Sequence, residues 1–167
     1  EKYNTKIQEH PQLANTSTTI QNPEIDNSKG AIFFDRDGTI NKDVGYLNNV
    51  NDIHIPKENL ETISKLSELN LFNIIVSNQS GVGLGYFDTK TVKKINDEIS
   101  RTINKNNGRI DKIYFDTSTN ENSSKDRKPN IGMILKARKD FNISLRKSWV
   151  IGDKYSDIEL GKKCNMR

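Results

Sequence analysis

Cysteine is almost missing from this chain: Cys164 stands alone among 167 residues. That excludes an intramolecular disulfide and a zinc site built from cysteines, and a lone thiol reads as a small core residue. Histidine is nearly as scarce, and His10 and His54 read as incidental rather than as ligands. No apolar run is long enough to cross a bilayer or to act as a secretion signal, so a cytoplasmic protein without membrane contact is expected. Apolar residues amount to 32%, low for one ordinary domain, so part of the chain is expected to lie outside the core. Residues 1–29 fit that part, with polar side chains, Pro11 and Pro23 and no apolar period. They are read as a polar tail or linker. Glu1 in place of Met is read as the mark of a fragment, for which a fused or adjacent N-terminal domain is one expectation.

Aromatic residues are few, at 7%, and none interleaves with the basic clusters Lys125-Asp126-Arg127-Lys128, Arg146-Lys147 and Lys162-Lys163. A net charge of +4 therefore does not argue for nucleic acid, which calls for rings to stack on bases. A small phosphorylated molecule needs only a few of these charges, and the others read as a solvated face. A monomer is expected.

What is present is a regular alternation. Ala31 to Phe34 reads as a buried strand, stopped by Asp37-Gly38-Thr39. Leu60, Ile63, Leu66 and Leu69 recur at helical spacing after Pro56. A second strand runs from Leu71 to Val76, and Asp88 is placed to cap a helix carrying Val92, Ile95, Ile99 and Ile103. A third strand covers Ile110 to Phe115, and Pro129 is expected to open the next helix. Trp149 to Ile151 gives a fourth strand and Tyr155 to Lys163 a further helix, after which another strand is expected beyond Arg167. There is no internal repeat. Such alternation predicts an α/β domain over residues 30–167, with a central parallel sheet built from right-handed crossovers.

Four groups follow the carboxyl ends of predicted strands: Asp35/Asp37, Ser77-Asn78, Lys128 and Asp153/Asp157. Each alone is an ordinary turn or strand exit, but a parallel sheet gathers such ends into one crevice. The residue types suit phosphate monoester chemistry. Asp35 would attack phosphorus, and Asp37 would protonate the leaving alkoxide and then deprotonate water. Ser77 and Lys128 would hold the phosphoryl charge. Mg²⁺ would be held by Asp35, the Asp37 carbonyl and Asp153, with Asp157 orienting a metal-bound water.

Asp35-Arg36-Asp37-Gly38-Thr39, Ser77-Asn78, Lys128 and Gly152-Asp153-Lys154-Tyr155-Ser156-Asp157 together resemble the four motifs of the haloacid dehalogenase-like hydrolases. The resemblance implies a three-layer, Rossmann-like α/β/α fold. Three further stretches resemble the D-glycero-D-manno-heptose 1,7-bisphosphate 7-phosphatases, relatives of the histidinol-phosphatases. They are Asp43-Val44-Gly45-Tyr46, Ser77 to Gly81 with Gly85-Tyr86-Phe87, and Asp126-Arg127-Lys128-Pro129 with Gly132-Met133. This implies substrate contacts from Asp43, Val44, Gly45, Tyr46, Asn78, Gln79, Ser80 and Lys154, and recognition of a second phosphate by Arg127. A surface ion pair with Asp126 is the plainer reading of Arg127.

That family carries a zinc in the loop before Arg-Lys-Pro, but residues 116–125 here contain neither Cys nor His. No zinc is expected, and a more mobile loop is. The short segment between Asp37 and Ser77 leaves no room for a large cap domain. Same-fold alternatives are a histidinol-phosphate phosphatase and a nucleic-acid 3′-phosphatase; a phospho-receiver module or a silent binding domain are alternatives of another class.

Overall fold

The computed structural model describes residues 28–167, so most of the expected tail, and His10 with it, lies outside the described residues. Strand β1, Ala31–Phe34, is buried along its whole length. Its side chains alternate between two cores, as the pleat requires. Ala31 and Phe33 join Ile74, Val76, Met133, Ile134, Ala137 and Leu160 on one face. Ile32 and Phe34 join Ile63, Ile75, Ile95, Ile99 and Ile103 on the other. Covering on both faces explains why the strand reads as an unbroken apolar run rather than an alternating one.

Strands β2 (Phe72–Asn78), β3 (Lys112–Asp116) and β4 (Trp149–Ile151) complete a parallel sheet of order β3-β2-β1-β4. Helices α1 (Lys57–Ser67) and α3 (Thr89–Lys105) cover one face through Ile63, Ile95, Ile99 and Ile103. Helices α4 (Gly132–Phe141) and α5 (Tyr155–Lys163) cover the other through Met133, Ile134, Ala137 and Leu160. This is the expected three-layer α/β/α arrangement. The chain steps outward from β1 to β2 to β3, then crosses back to β4 beside β1. Strand order reverses there, which opens a crevice at the carboxyl ends of β1 and β4.

Several local expectations hold. Asp88 caps α3, its Oδ1 accepting the Thr91 N–H at 2.8 Å. Cys164 is half-buried against the α4/α5 core, where burial raises its thiol above the usual value. Others shift. Leu69 lies beyond the end of α1 and is half-exposed. A one-turn helix, α2 (Ser80–Gly83), follows β2.

Pro129 does not open α4. Its cis peptide with Lys128 lies in a turn closed by the Asn130 N–H on the Arg127 carbonyl at 2.7 Å. The helix starts at Gly132, where a Cβ would sit 2.2 Å from Asp126 Oδ1. At the far edge, Arg167 already pairs with β4: its N–H donates to Ser148 O at 3.1 Å and its carbonyl accepts from Val150 at 2.8 Å. The segment between β1 and β2 holds only loops, a 3-10 turn at Val50–Asp52 and α1, with no cap domain. No helix among the described residues is long and apolar enough to cross a membrane.

Candidate active site

Asp35 is the first residue past β1, and its N–H donates to the Ile151 carbonyl of β4 at 2.8 Å. The backbone is thus tied across the two strands that flank the crevice. Lys128 Nζ lies 2.8 Å from Asp35 Oδ1 and 2.6 Å from Asp157 Oδ1. The Lys128 and Asp157 side chains are each only 2% exposed. Asn78, at the end of β2, holds the Lys128 backbone from both sides: Oδ1 accepts its N–H at 2.9 Å and Nδ2 donates to its carbonyl at 3.0 Å. Asp157 is fixed in turn, because its Oδ2 accepts the Lys154 N–H at the start of α5.

Oxygens of Asp35, Asp153 and Asp157 lie within 4.8 Å of one another. Three carboxylates share the buried Lys128 ammonium, with the half-exposed Lys154 ammonium beside Asp35 and Asp153, which still leaves a surplus of negative charge. An all-oxygen donor set with that surplus fits Mg²⁺, a hard divalent cation. Gly38 makes the cluster possible. Its φ is +91°, and a Cβ there would meet Asp153 Oδ2 at 2.2 Å. Any side chain at position 38 would therefore push the β4 loop off the β1 loop.

The Asp37 carboxylate is not one of the three. It is gripped by Arg36, whose Nη2 approaches Oδ2 at 2.7 Å, and by Gln79, whose Nε2 donates to the same oxygen at 2.9 Å. Gln79 Nε2 also donates to Ser77 Oγ at 2.7 Å, which leaves the Ser77 hydroxyl hydrogen free to point elsewhere. Gln79 is therefore buried behind the site rather than standing at its surface.

The remaining residues form a rim. Asp43 Oδ2 lies 3.5 Å from Lys154 Nζ, and Asp43 Oδ1 accepts the Gly45 N–H in a local turn. Burial pulls the Lys154 ammonium down, but the carboxylates of Asp35, Asp43 and Asp153 outweigh it and hold its pKa above the ordinary lysine value. Val44 and Tyr46 are half-exposed, and the Tyr46 ring packs edge-on against Tyr86 at 4.8 Å. Arg127 makes no pair with Asp126. Its Nη2 and Nε donate to Asn120 Oδ1 at 2.6 and 3.1 Å, Nη1 donates to the Ser118 carbonyl at 2.8 Å, and Nη1 reaches Ser80 Oγ at 3.4 Å.

The loop after β3 has an internal tie of its own. Buried Asp116 accepts hydrogen bonds from the Ser118 and Ser124 hydroxyls and from the Ser118 N–H. Ser124 Oγ then accepts the N–H groups of Asp126 and Arg127. A carboxylate and two hydroxyls thus gather this loop.

A family model described as HAD-hydrolase-like matches residues 126–167. Over 142 residues the chain is 33% identical to the D-glycero-beta-D-manno-heptose-1,7-bisphosphate 7-phosphatase of Helicobacter pylori (strain ATCC 700392 / 26695), covering 84% of this chain and 82% of that protein. The chain belongs to the haloacid dehalogenase-like hydrolases. It is a phosphatase. A second relative, the D-glycero-alpha-D-manno-heptose-1,7-bisphosphate 7-phosphatase of Burkholderia mallei (strain ATCC 23344), is 35% identical over 78% of this chain and 73% of its own length. Among solved structures, the D,D-heptose 1,7-bisphosphate phosphatase of B. bronchiseptica complexed with magnesium and phosphate superposes with a TM-score of 0.75. It is 25% identical and covers 81% of this chain and 76% of that one.

The strand-end motifs thus lie together in this phosphatase: Asp35, Asp37, Ser77, Lys128, Asp153 and Asp157 share one crevice or its wall. Sequence reasoning missed how they are held. Arg36, Asn96, Asp116 and the backbone grip of Asn78 carried no assigned role. Asn96 did leave a signal, as a polar residue among Val92, Ile95, Ile99 and Ile103 on the apolar face of α3.

Proposed function

We propose that this phosphatase removes the 7-phosphate of D-glycero-D-manno-heptose 1,7-bisphosphate, in surface-polysaccharide precursor synthesis, through an aspartyl-phosphate on Asp35. The observation that carries the reaction is the Lys128 ammonium between Asp35 and Asp157, beside the third carboxylate of Asp153. One carboxylate oxygen of Asp35 bonds to phosphorus as the bond from phosphorus to the sugar oxygen breaks. Asp37 gives its proton to that leaving oxygen. Asp37 then takes a proton from water, whose oxygen attacks phosphorus and breaks the bond to Asp35, releasing inorganic phosphate. Lys128 Nζ and the Ser77 hydroxyl donate to the phosphoryl oxygens throughout. Asp35, Asp153 and the Asp37 carbonyl would hold Mg²⁺, whose positive charge would let a phosphate dianion approach a carboxylate.

The sugar is supported by the relatives, whose names specify the heptose bisphosphate. Lys154 and Arg127 would supply two cations for a substrate with two phosphates. Asp43 to Tyr46, Asn78 and Ser80 would complete the contacts, with Gln79 acting from behind through Asp37 and Ser77. The test is phosphate release from the α and β anomers of the bisphosphate, from histidinol phosphate and from a 3′-phosphorylated oligonucleotide. Phosphorus NMR should show the C7 phosphate lost and the C1 phosphate retained. Faster turnover of histidinol phosphate or of the oligonucleotide would overturn the assignment.

A further inference from the structure

Arg36 is the largest fully buried side chain of the described residues, at 0% exposure. Burying a guanidinium is costly unless its donors are satisfied, so the partners of Arg36 show what the burial is for. Nε lies 3.0 and 3.1 Å from the two oxygens of Asp37, and Nη2 lies 2.7 Å from Oδ2. Nη2 also donates to Gln79 Oε1 at 2.9 Å, and Nη1 donates to Asn96 Oδ1 at 3.0 Å. Three elements meet on one cation: the turn after β1, the end of β2 and the buried face of α3. Asn96 has no part in the crevice. It sits one residue from Ile95 and three from Ile99, both wholly buried, and among the described residues its one side-chain partner is Arg36.

We propose that Arg36 is a positioning residue for Asp37, held in place by Gln79 and Asn96, and that this clamp sets how well the enzyme protonates the leaving oxygen. The inference rests on the proposed role of Asp37 as proton donor. A carboxylate next to a glycine turn has rotational freedom, and proton transfer needs its oxygen within hydrogen-bond reach of the leaving group. The clamp removes that freedom.

Leaving-group dependence separates positioning from mere support. A sugar alkoxide needs a proton as it departs, whereas p-nitrophenolate does not. The full chain with Mg²⁺ is assayed on the heptose bisphosphate and on p-nitrophenyl phosphate, using Asn96→Leu, Arg36→Lys and Asp37→Asn. Asn96→Leu and Arg36→Lys should lose about tenfold to a hundredfold more kcat/KM on the sugar phosphate than on p-nitrophenyl phosphate, because kcat/KM reports formation of the aspartyl-phosphate and not its hydrolysis, a step common to both substrates. Asp37→Asn should show the same bias more strongly, and Asn96→Asp, which keeps an acceptor for Nη1, should recover most of what Asn96→Leu loses. Equal losses on both substrates in Asn96→Leu and Arg36→Lys would overturn the clamp. An unbiased loss in Asp37→Asn would overturn the role of Asp37 itself. If Arg36→Lys does not fold, the comparison of Asn96→Leu with Asn96→Asp decides alone.

Discussion

Asn78 brackets the backbone of Lys128, accepting its N–H at 2.9 Å and donating to its carbonyl at 3.0 Å. These two bonds tie the end of β2 to the turn before α4, so the ammonium arrives between Asp35 and Asp157 already oriented. Asn78→Ala should leave the fold intact and lower kcat about tenfold to a hundredfold, the worth of two hydrogen bonds at about 0.5–1.5 kcal/mol each. Steady-state kinetics with a thermal melt as control checks this.

Lys128 is enclosed with two carboxylates, and removing it strands them. Lys128→Met should be inactive and destabilised by about 3–5 kcal/mol in the presence of chelator. Because Asp35, Asp153 and Asp157 would then keep only the half-exposed Lys154 as counter-charge, added Mg²⁺ should restore more stability to this variant than to wild type. Urea unfolding with and without the metal measures both effects, and a variant indifferent to Mg²⁺ would speak against a cation site there.

Asp116 organises the loop that presents Arg127. Asp116→Ala frees the hydroxyls of Ser118 and Ser124, and the Arg127 guanidinium loses the frame that aims it. KM for the bisphosphate should rise about tenfold, in line with a loss of about 1.4 kcal/mol, while kcat on p-nitrophenyl phosphate stays near wild type. Parallel KM measurements on the two substrates test it.

Tyr114 on β3 gives a pH signature unconnected with catalysis. Burial raises its pKa from 10.0, and the hydrogen bond its hydroxyl donates to Asp140 Oδ2 at 2.6 Å raises it further. A folded-state pKa above the unfolded value contributes stability that is present below about pH 10 and is lost as pH climbs toward the folded-state value. Tyr114→Phe should therefore lose stability less steeply than wild type in alkaline solution, as chemical unfolding at several pH values would show.

Much of this was legible because the layers impose periodicity. β1 is apolar throughout since both its faces are covered, and the helix faces carry Ile and Val at helical spacing for the same reason. The Asp88 cap acts within one turn and could be read directly. Pro129 misled because a turn across Arg127 to Asn130 competes with helix initiation, and that turn depends on long-range contacts of Lys128. The Arg36 clamp was hidden for a similar reason: its partners Gln79 and Asn96 are distant in sequence and meet only when α3 docks on the sheet.

The most direct test of the phosphatase chemistry is to identify the phosphorylated residue. Enzyme turning over its substrate with Mg²⁺ is quenched in acid, reduced with borohydride and digested, so that an aspartyl-phosphate is read as homoserine by mass spectrometry. Asp37→Asn phosphorylated from p-nitrophenyl phosphate, whose leaving group needs no proton, is slowed chiefly in hydrolysing the intermediate and gives the strongest signal. Homoserine at position 35 is the predicted result. Turnover that leaves Asp35 unmodified, or that places the phosphoryl group on another residue, would contradict it.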